Sequence, residues 1–254
     1  MRGGGDIATG VAWRLTRAGW PVVACELSSP LTVRRTVAVS SAILDGEVDV
    51  EGMRAVRALT AGEAQELART GAVAVLVSPE LPVLNADVVV DARLAKRNID
   101  TSIGDAPLVI GLGPGFVAGI DCHAVVETMR GPHLGRVIWS GSAAANTGTP
   151  GVVGGRGAER VLRAPIDGIV AWDVAIGDPV EAGQRLGRVG VASIDAPFAG
   201  VVRGLISDQV LLHAGMKIGD VDPRCEASAC FEISDKALAV GGGVVEAVLT
   251  WLNR

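Results

Sequence analysis

Gly3, Gly5 and Ala8 stand at the spacing G-x-G-x-x-[G/A] within the loop GGGDIATG, which runs from Gly3 to Gly10. Glycines so spaced admit a tight turn and let backbone N–H groups approach a pyrophosphate. Glu26 follows about 20 residues later, where folds with this loop hold a carboxylate for ribose hydroxyls. The chemistry suggested is recognition of a nucleotide or dinucleotide, with Gly3, Gly5, Asp6, Ala8, Thr9 and Glu26 as candidate contacts. The same glycines would equally let a helix pack closely on a sheet, and both readings stand. A second candidate group comes from GLGPGF and the residues after it: Gly113, Gly115, Glu127, Thr128 and Arg130. A guanidinium beside glycine loops suits bidentate phosphate recognition. An ordinary solvated salt bridge accounts for Arg130 just as well.

Other reactive residues are less suggestive. Asp121, Cys122 and His123 are consecutive, and neighbours in a strand point to opposite faces, so no shared metal is expected there. Cys225 and Cys230 lack a second pair, and His213 is remote. Arg34 and Arg35 either reach a second phosphate of the ligand or pair with Asp45, Glu47 or Asp49. Asp220, Asp222 and Arg224, with Asp235 and Lys236, read as a structural ion-pair network. No catalytic Ser-His-Asp or Cys-His set is assignable from spacing.

The elements that must position these residues are α/β in character. Ile7, Val11 and Leu15 recur every four positions between Asp6 and Ala18, which predicts a helix ended by Gly19. Strand-like runs follow at 20–27, 72–77, 86–90 and 108–112, with helical spacing over 62–69, so a wound, mostly parallel Rossmann-like sheet is expected over residues 1–112. No strand precedes the glycine loop. Either a first strand lies upstream of Met1, or a neighbouring segment takes its place. The former is favoured, because a parallel sheet lacking its central strand leaves backbone groups unsatisfied. Residues 113–160 are glycine-dense and read as a connecting region.

From 161 to 222 the chain repeats itself at an offset of 32 residues: Ala164 matches Ala196, Pro165 Pro197, Gly168 Gly200, Val170 Val202, Gly183 Gly215 and Gly187 Gly219. A two-fold repeat of short strands is implied. The pattern resembles the biotinyl/lipoyl-type barrel-sandwich, whose carrier members bear a modified lysine on the hairpin joining the halves. Here the joining segment 188–194 (RVGVASI) has no lysine, so a docking module is expected instead of a swinging arm. In the last segment, 223–254, Ser234 is a natural N-cap, and Gly241–Gly243 are expected to form a loop before a final helix, since each costs roughly 1 kcal/mol inside one.

Composition narrows the partners. The chain has 254 residues and net charge −5, with 49% hydrophobic but 3% aromatic residues and no tyrosine. Without a basic footprint or stacking platforms, nucleic acid is not an expected ligand. No apolar run approaches the roughly 18 residues of a membrane span, and four scattered cysteines fit reduced thiols. A cytoplasmic protein is expected, with no metal of its own and homo-oligomerisation left open.

Nine ordered stretches carry a family resemblance: GGGDIATG with VAWRLTRAGWPVV, PLTVRRTVAVS, DVEGM, GLGPGF, ETMRG with LGRVI, NTGTPG, APIDG, KIGDVDPR and SDKALAVGGGVVEA. Together they resemble the YqeB-type proteins of selenium-dependent molybdenum hydroxylase systems over essentially the whole chain. The resemblance implies an accessory role in assembling or supplying the cofactor of a molybdenum hydroxylase. Its expected partners are that hydroxylase or its maturation factors, and its ligand a molybdopterin dinucleotide. The alternative is an enzyme using NAD(P) or another nucleotide for redox or transfer chemistry. The chain departs from the family in lacking the leading strand, and in having Arg130-Gly131-Pro132-His133 where the family tends to show R-G-H.

Overall fold

The computed structural model describes residues 1–148, 151–152 and 154–254; Thr149 and Pro150 of the NTGTPG stretch, and Val153, lie outside the described residues. Apolar, β-branched runs form one large twisted sheet. The inner strands Met53–Ala58, Val73–Val77 and Val22–Glu26 run parallel on one side, and Val88–Asp91, Leu108–Leu112 and Ala124–Val126 run parallel on the other. Antiparallel edge strands, Glu47–Val50 and Val137–Ile138, close the two ends.

The central position of the sheet is filled, at its carboxyl end, by the first residues of the chain. Arg2 bridges Cys25 on one side and Asp91 on the other, both in parallel sense. Cys25 N–H donates to Met1 O at 2.8 Å and Gly3 N–H to Cys25 O at 2.7 Å, while Arg2 N–H donates to Val90 O and Ala92 N–H to Arg2 O, each at 2.8 Å. Met1–Gly3 thus satisfy the facing backbone groups at the carboxyl end of the central position. The glycine loop then leads straight into the helix Asp6–Arg17.

That helix buries Val11 completely and Ile7 and Leu15 nearly so, the face its spacing predicts. Burying a side chain of this size contributes roughly 1.5–3 kcal/mol. Gly19 ends the run at φ +86°, in the left-handed region that favours glycine. Ala61–Arg69 is likewise helical, with Thr60 Oγ1 accepting from Glu63 N–H at 3.2 Å.

Two expected boundaries shift. The sheet continues past Leu112, because Ala124–Val126 lies against Leu108–Leu112. The final helix is also one uninterrupted element, Asp235–Leu252, running through Gly241–Gly243. The glycines serve the packing there. A Cβ on Gly241 would lie 2.5 Å from Gly10 O, one on Gly243 would lie 2.2 Å from Gly135 O, and one on Gly10 would lie 2.5 Å from Ala237 backbone atoms. The loss of helix propensity is offset by a close crossing of the two long helices, whose Val11, Val240, Val244 and Ala247 share one core with the sheet.

Residues 161–222 build a separate β module of two small sheets around its own core of Leu186, Val189, Val202, Leu205, Leu212 and Ile218. The repeat maps strand onto strand: Val170–Trp172 onto Gly200–Leu205, and Arg185–Val189 onto Lys217–Asp222. Its halves interlock reciprocally. Gly183 N–H donates to Ala196 O, and its counterpart Gly215 N–H donates to Ala164 O, both at 2.8 Å. Val180 pairs with Gly200, and Leu212 with Gly168.

Candidate functional site

Except for Met53–Ala58, the parallel strands of the large sheet end at one cavity of about 1260 Å³. Gly3, Glu26, Ser78, Ala92, Leu112 and Glu127, each at or just past a strand's carboxyl end, border it. Open α/β sheets bind ligands at this edge, where the strand order reverses. The reversal falls at Arg2, between Val22–Glu26 and Val88–Asp91. The opposite wall comes from the β module, through Arg203 and Lys217, from Arg160 just before it, and from the start of the C-terminal helix, through Ser234 and Lys236.

At the glycine loop the backbone groups are partly committed. Gly3 N–H serves the sheet, and Gly4 N–H donates to Glu26 Oε2 at 2.9 Å. Gly5 is the helix N-cap and has no side-chain bond, so the first turn has no cap of its own; Gly5, Asp6 and Ile7 all face the cavity. The four orphan N–H groups and the dipole of a helix start together favour an anion. Glu26 Oε1 takes the Leu27 N–H at 2.8 Å, so this carboxylate shapes the loop as well as bordering the cavity.

The structure divides the candidates named from sequence. Gly3, Gly5, Asp6, Glu26, Glu127, Thr128 and Arg130 line the cavity. Ala8 and Thr9 do not: both are wholly buried, and Thr9 Oγ1 donates to Gly5 O and accepts from Val39 N–H. Gly113 and Gly115 also lie outside it. At φ +76° and +109° they shape the turn after Leu112, where a Cβ would meet Thr128 Oγ1 at 2.4 Å and Arg97 backbone at 2.5 Å. Glu127 is buried and accepts from Met129 and Ala144 N–H, at 2.7 Å each. Arg130 makes the salt bridge foreseen as its plain role, with two bonds to Asp235 at 2.6 and 2.8 Å. That partner holds the Asp235 carboxyl at about 2.

Several other residues singled out in the sequence also have partners within the frame. Arg34 pairs with Asp6 at 2.9 Å rather than with Asp45, Glu47 or Asp49, and Arg35 donates to Leu205 O. Asp121 accepts from Val117 N–H and Asn98 Nδ2, and His123 Nδ1 accepts from Val109 N–H. Burial lifts the Cys122 thiol to about 11, which suppresses thiolate chemistry. At the exit of the β module, burial alone would raise the Asp222 carboxyl. Arg224's hydrogen bonds, with the charges of Arg224 and Arg203, outweigh that and hold it at about 2.

One polar cluster escaped the spacing arguments. Asp91 is buried and accepts from Thr101 Oγ1 at 2.7 Å and from Arg93, while Arg2 donates to Thr101 Oγ1 and Asp100. The group sits at the central carboxyl ends, beneath the glycine loop. A signal was present for Asp91, an acid closing the apolar run DVVVD; none was present for Arg2, which reads as a flanking charge. The loop beyond holds Leu94 at φ +53° and Lys96 at φ +61°. Left-handed residues other than glycine are uncommon and concentrate at ligand clamps and active sites. No aromatic side chain lines the cavity among the described residues; the half-exposed Leu27, Leu31, Ile99 and Met129 supply its apolar surface.

No protein-family model matches the chain. An aspartoacylase family protein from Mesorhizobium loti aligns over 25% of this chain and 23% of its own, with 19% identity and a TM-score of 0.24, a likeness that carries no argument. The uncharacterized protein YqeB of Escherichia coli (strain K12) is 47% identical over 257 residues, covering 100% of this chain and 48% of that protein. The chain therefore spans about half the length of this curated relative. With nearly half of its residues shared along that whole stretch, the chain belongs to the YqeB-type family.

Proposed function

We propose that this chain holds a nucleotide-bearing ligand in the cavity at the carboxyl edge of its sheet and acts as an accessory, maturation-type component. The carrying observation is the uncapped first turn of Asp6–Arg17, opening onto that cavity beside Glu26. The volume exceeds the roughly 300–1,000 Å³ of sites for drug-sized molecules, which suits an extended ligand with two ends. A molybdopterin dinucleotide fits this description, and the family resemblance favours it. The β module would then dock a partner, a molybdenum hydroxylase or one of its maturation factors. Its reciprocal half-to-half hydrogen bonds support a barrel-sandwich of the biotinyl/lipoyl kind, and its lysine-free joining segment supports docking over carriage of a modified lysine.

Isothermal titration with NAD, NADP and a pterin dinucleotide tests the reading. Saturable binding of the pterin dinucleotide without turnover is the expected result. NAD(P)-dependent turnover of a substrate would establish the enzymatic alternative instead. Failure of all three to bind removes both.

A further inference from the structure

Lysine is rare in this protein: Lys96, Lys217 and Lys236 are the only ones, and every other basic side chain apart from histidine is arginine. All three border the same cavity. Lys217 lies 3.7 Å from Asp220, and Lys96 is on the exposed left-handed loop. Lys236 is different. It is half-buried in the first turn of the 18-residue C-terminal helix, where the helix dipole disfavours a cation.

Asp6, Glu127 and Asp235 lie near enough to favour its charge, yet each is bonded to another group, and only Asp6 Oδ1 is left unpartnered. Asp6 pairs with Arg34, Asp235 with Arg130, and Glu127 accepts two backbone N–H groups. Among the described residues the Lys236 ammonium makes no ion pair or hydrogen bond. Burial first, and then the neighbouring Arg130 guanidinium, lower its pKa. Beside it the Arg34 side chain is only 8% exposed, borders the cavity, and carries an Nε–H without an acceptor. On the opposite wall Arg160, 9% exposed, likewise has an unpartnered Nε. The first turns of both long helices face the same space, through Gly5 and Asp6 on one and Ser234 and Lys236 on the other. Arg34 and Arg160 each keep a carboxylate partner, Asp6 and Asp220, whereas the Lys236 ammonium has none among the described residues.

We propose that Lys236 is the counter-charge for a phosphate- or pyrophosphate-class group of the ligand, bound where the two helix starts and Arg34 meet. The inference rests on the cavity being a site for a phosphate-bearing ligand, and it names the residue that recognises that phosphate. A lysine ammonium suits the role as a compact point charge with three rotatable donors. Losing one charge-assisted hydrogen bond of about 1.5–3 kcal/mol corresponds to roughly a tenfold to hundredfold fall in affinity.

The test uses inorganic pyrophosphate and the pterin dinucleotide as probes in calorimetric titration, with the unaltered protein, Lys236→Gln and Lys236→Arg. Pyrophosphate affinity should fall at least about tenfold in K236Q and recover most of that loss in K236R. In the unaltered protein, pyrophosphate should also slow acetylation of Lys236, read by peptide mass spectrometry, which keeps the test valid if K236Q misfolds. Equal affinity in K236Q, an unchanged acetylation rate, or no pyrophosphate binding by the unaltered protein each overturns the proposal. Dinucleotide bound equally well by the unaltered protein and K236Q would remove Lys236's role and leave the ligand reading standing. Lys236-dependent pyrophosphate binding without dinucleotide binding would do the reverse.

Discussion

The tripeptide Gly-Gly-Gly occurs twice in this chain, at 3–5 and at 241–243. In the first copy Gly3 adopts φ +95° to turn from the sheet into the loop, and Gly5 opens a helix onto the cavity. In the second copy all three residues are helical, and the outer two bring backbone to backbone against Gly10 and Gly135. One triplet opens onto a cavity, the other makes room for a neighbouring helix and loop. Missing side chains acquire meaning only from what stands opposite them.

The largest effect that separates the two copies is expected at Gly243. Its new Cβ in Gly243→Ala would sit 2.2 Å from Gly135 O, and relieving a backbone clash of that kind costs about 2–3 kcal/mol even after the gain in helix propensity. Urea denaturation measures it, and an unchanged midpoint would show that the helix can shift without penalty.

A charged residue of the frame comes next. Asp222 has a side chain 4% exposed and pairs with Arg203 and Arg224, so Asp222→Asn should destabilise the protein by about 2–3 kcal/mol at pH 7 while leaving a buried guanidinium short of its partner. Because its folded carboxyl is held at about 2, below an unfolded value of about 3.9, the stabilisation is present above pH 4 and is lost as pH falls through 2. Stability curves of the two proteins should therefore converge in strong acid; a gap that stays constant to pH 2 contradicts the assignment.

Gly5→Ala should act on the ligand instead of the fold. The position has φ −72° and its Cβ would meet only Thr32 Oγ1, at an ordinary 3.5 Å, so stability should stay within about 0.5 kcal/mol. Dinucleotide affinity should drop about tenfold, since the methyl group intrudes on the helix start. Calorimetry beside a thermal melt separates the two. An equal loss of stability and binding would erase the contrast between the triplets.

The smallest effect lies at the middle glycine of the second copy. A Cβ on Gly242 meets nothing within 4 Å, so Gly242→Ala should stabilise the protein by up to about 1 kcal/mol. A destabilisation there would mean that this helix face is covered in solution.

Much of the frame was legible because its signals are local. Ile7, Val11 and Leu15 announced the first helix, and Leu108–Leu112 appeared as a strand at its observed limits. The 32-residue repeat foretold two matching strand sets, since each residue type recurs where the backbone does the same thing. The site was only partly legible. Gly3, Gly5 and Glu26 follow from a motif whose spacing is itself the geometry. Gly113 and Gly115 share its composition without its setting, and turned out to accommodate Thr128 and Arg97. Arg34 and Lys236 were singled out with their partners left open or misassigned, because a lone arginine or lysine looks alike in sequence whether it is paired or not.

The sequence by itself determined the periodicities: which faces are apolar, where glycine ends a helix, and where the β module repeats. These depend on neighbours a few residues apart. Tertiary structure alone decided that Met1–Gly3 pair at the carboxyl end of the sheet's central position, that Gly241–Gly243 stay helical, and that three distant lysines face one cavity. Each of these depends on atoms far apart in the chain, where packing density and the pairing of buried charge outweigh local preference.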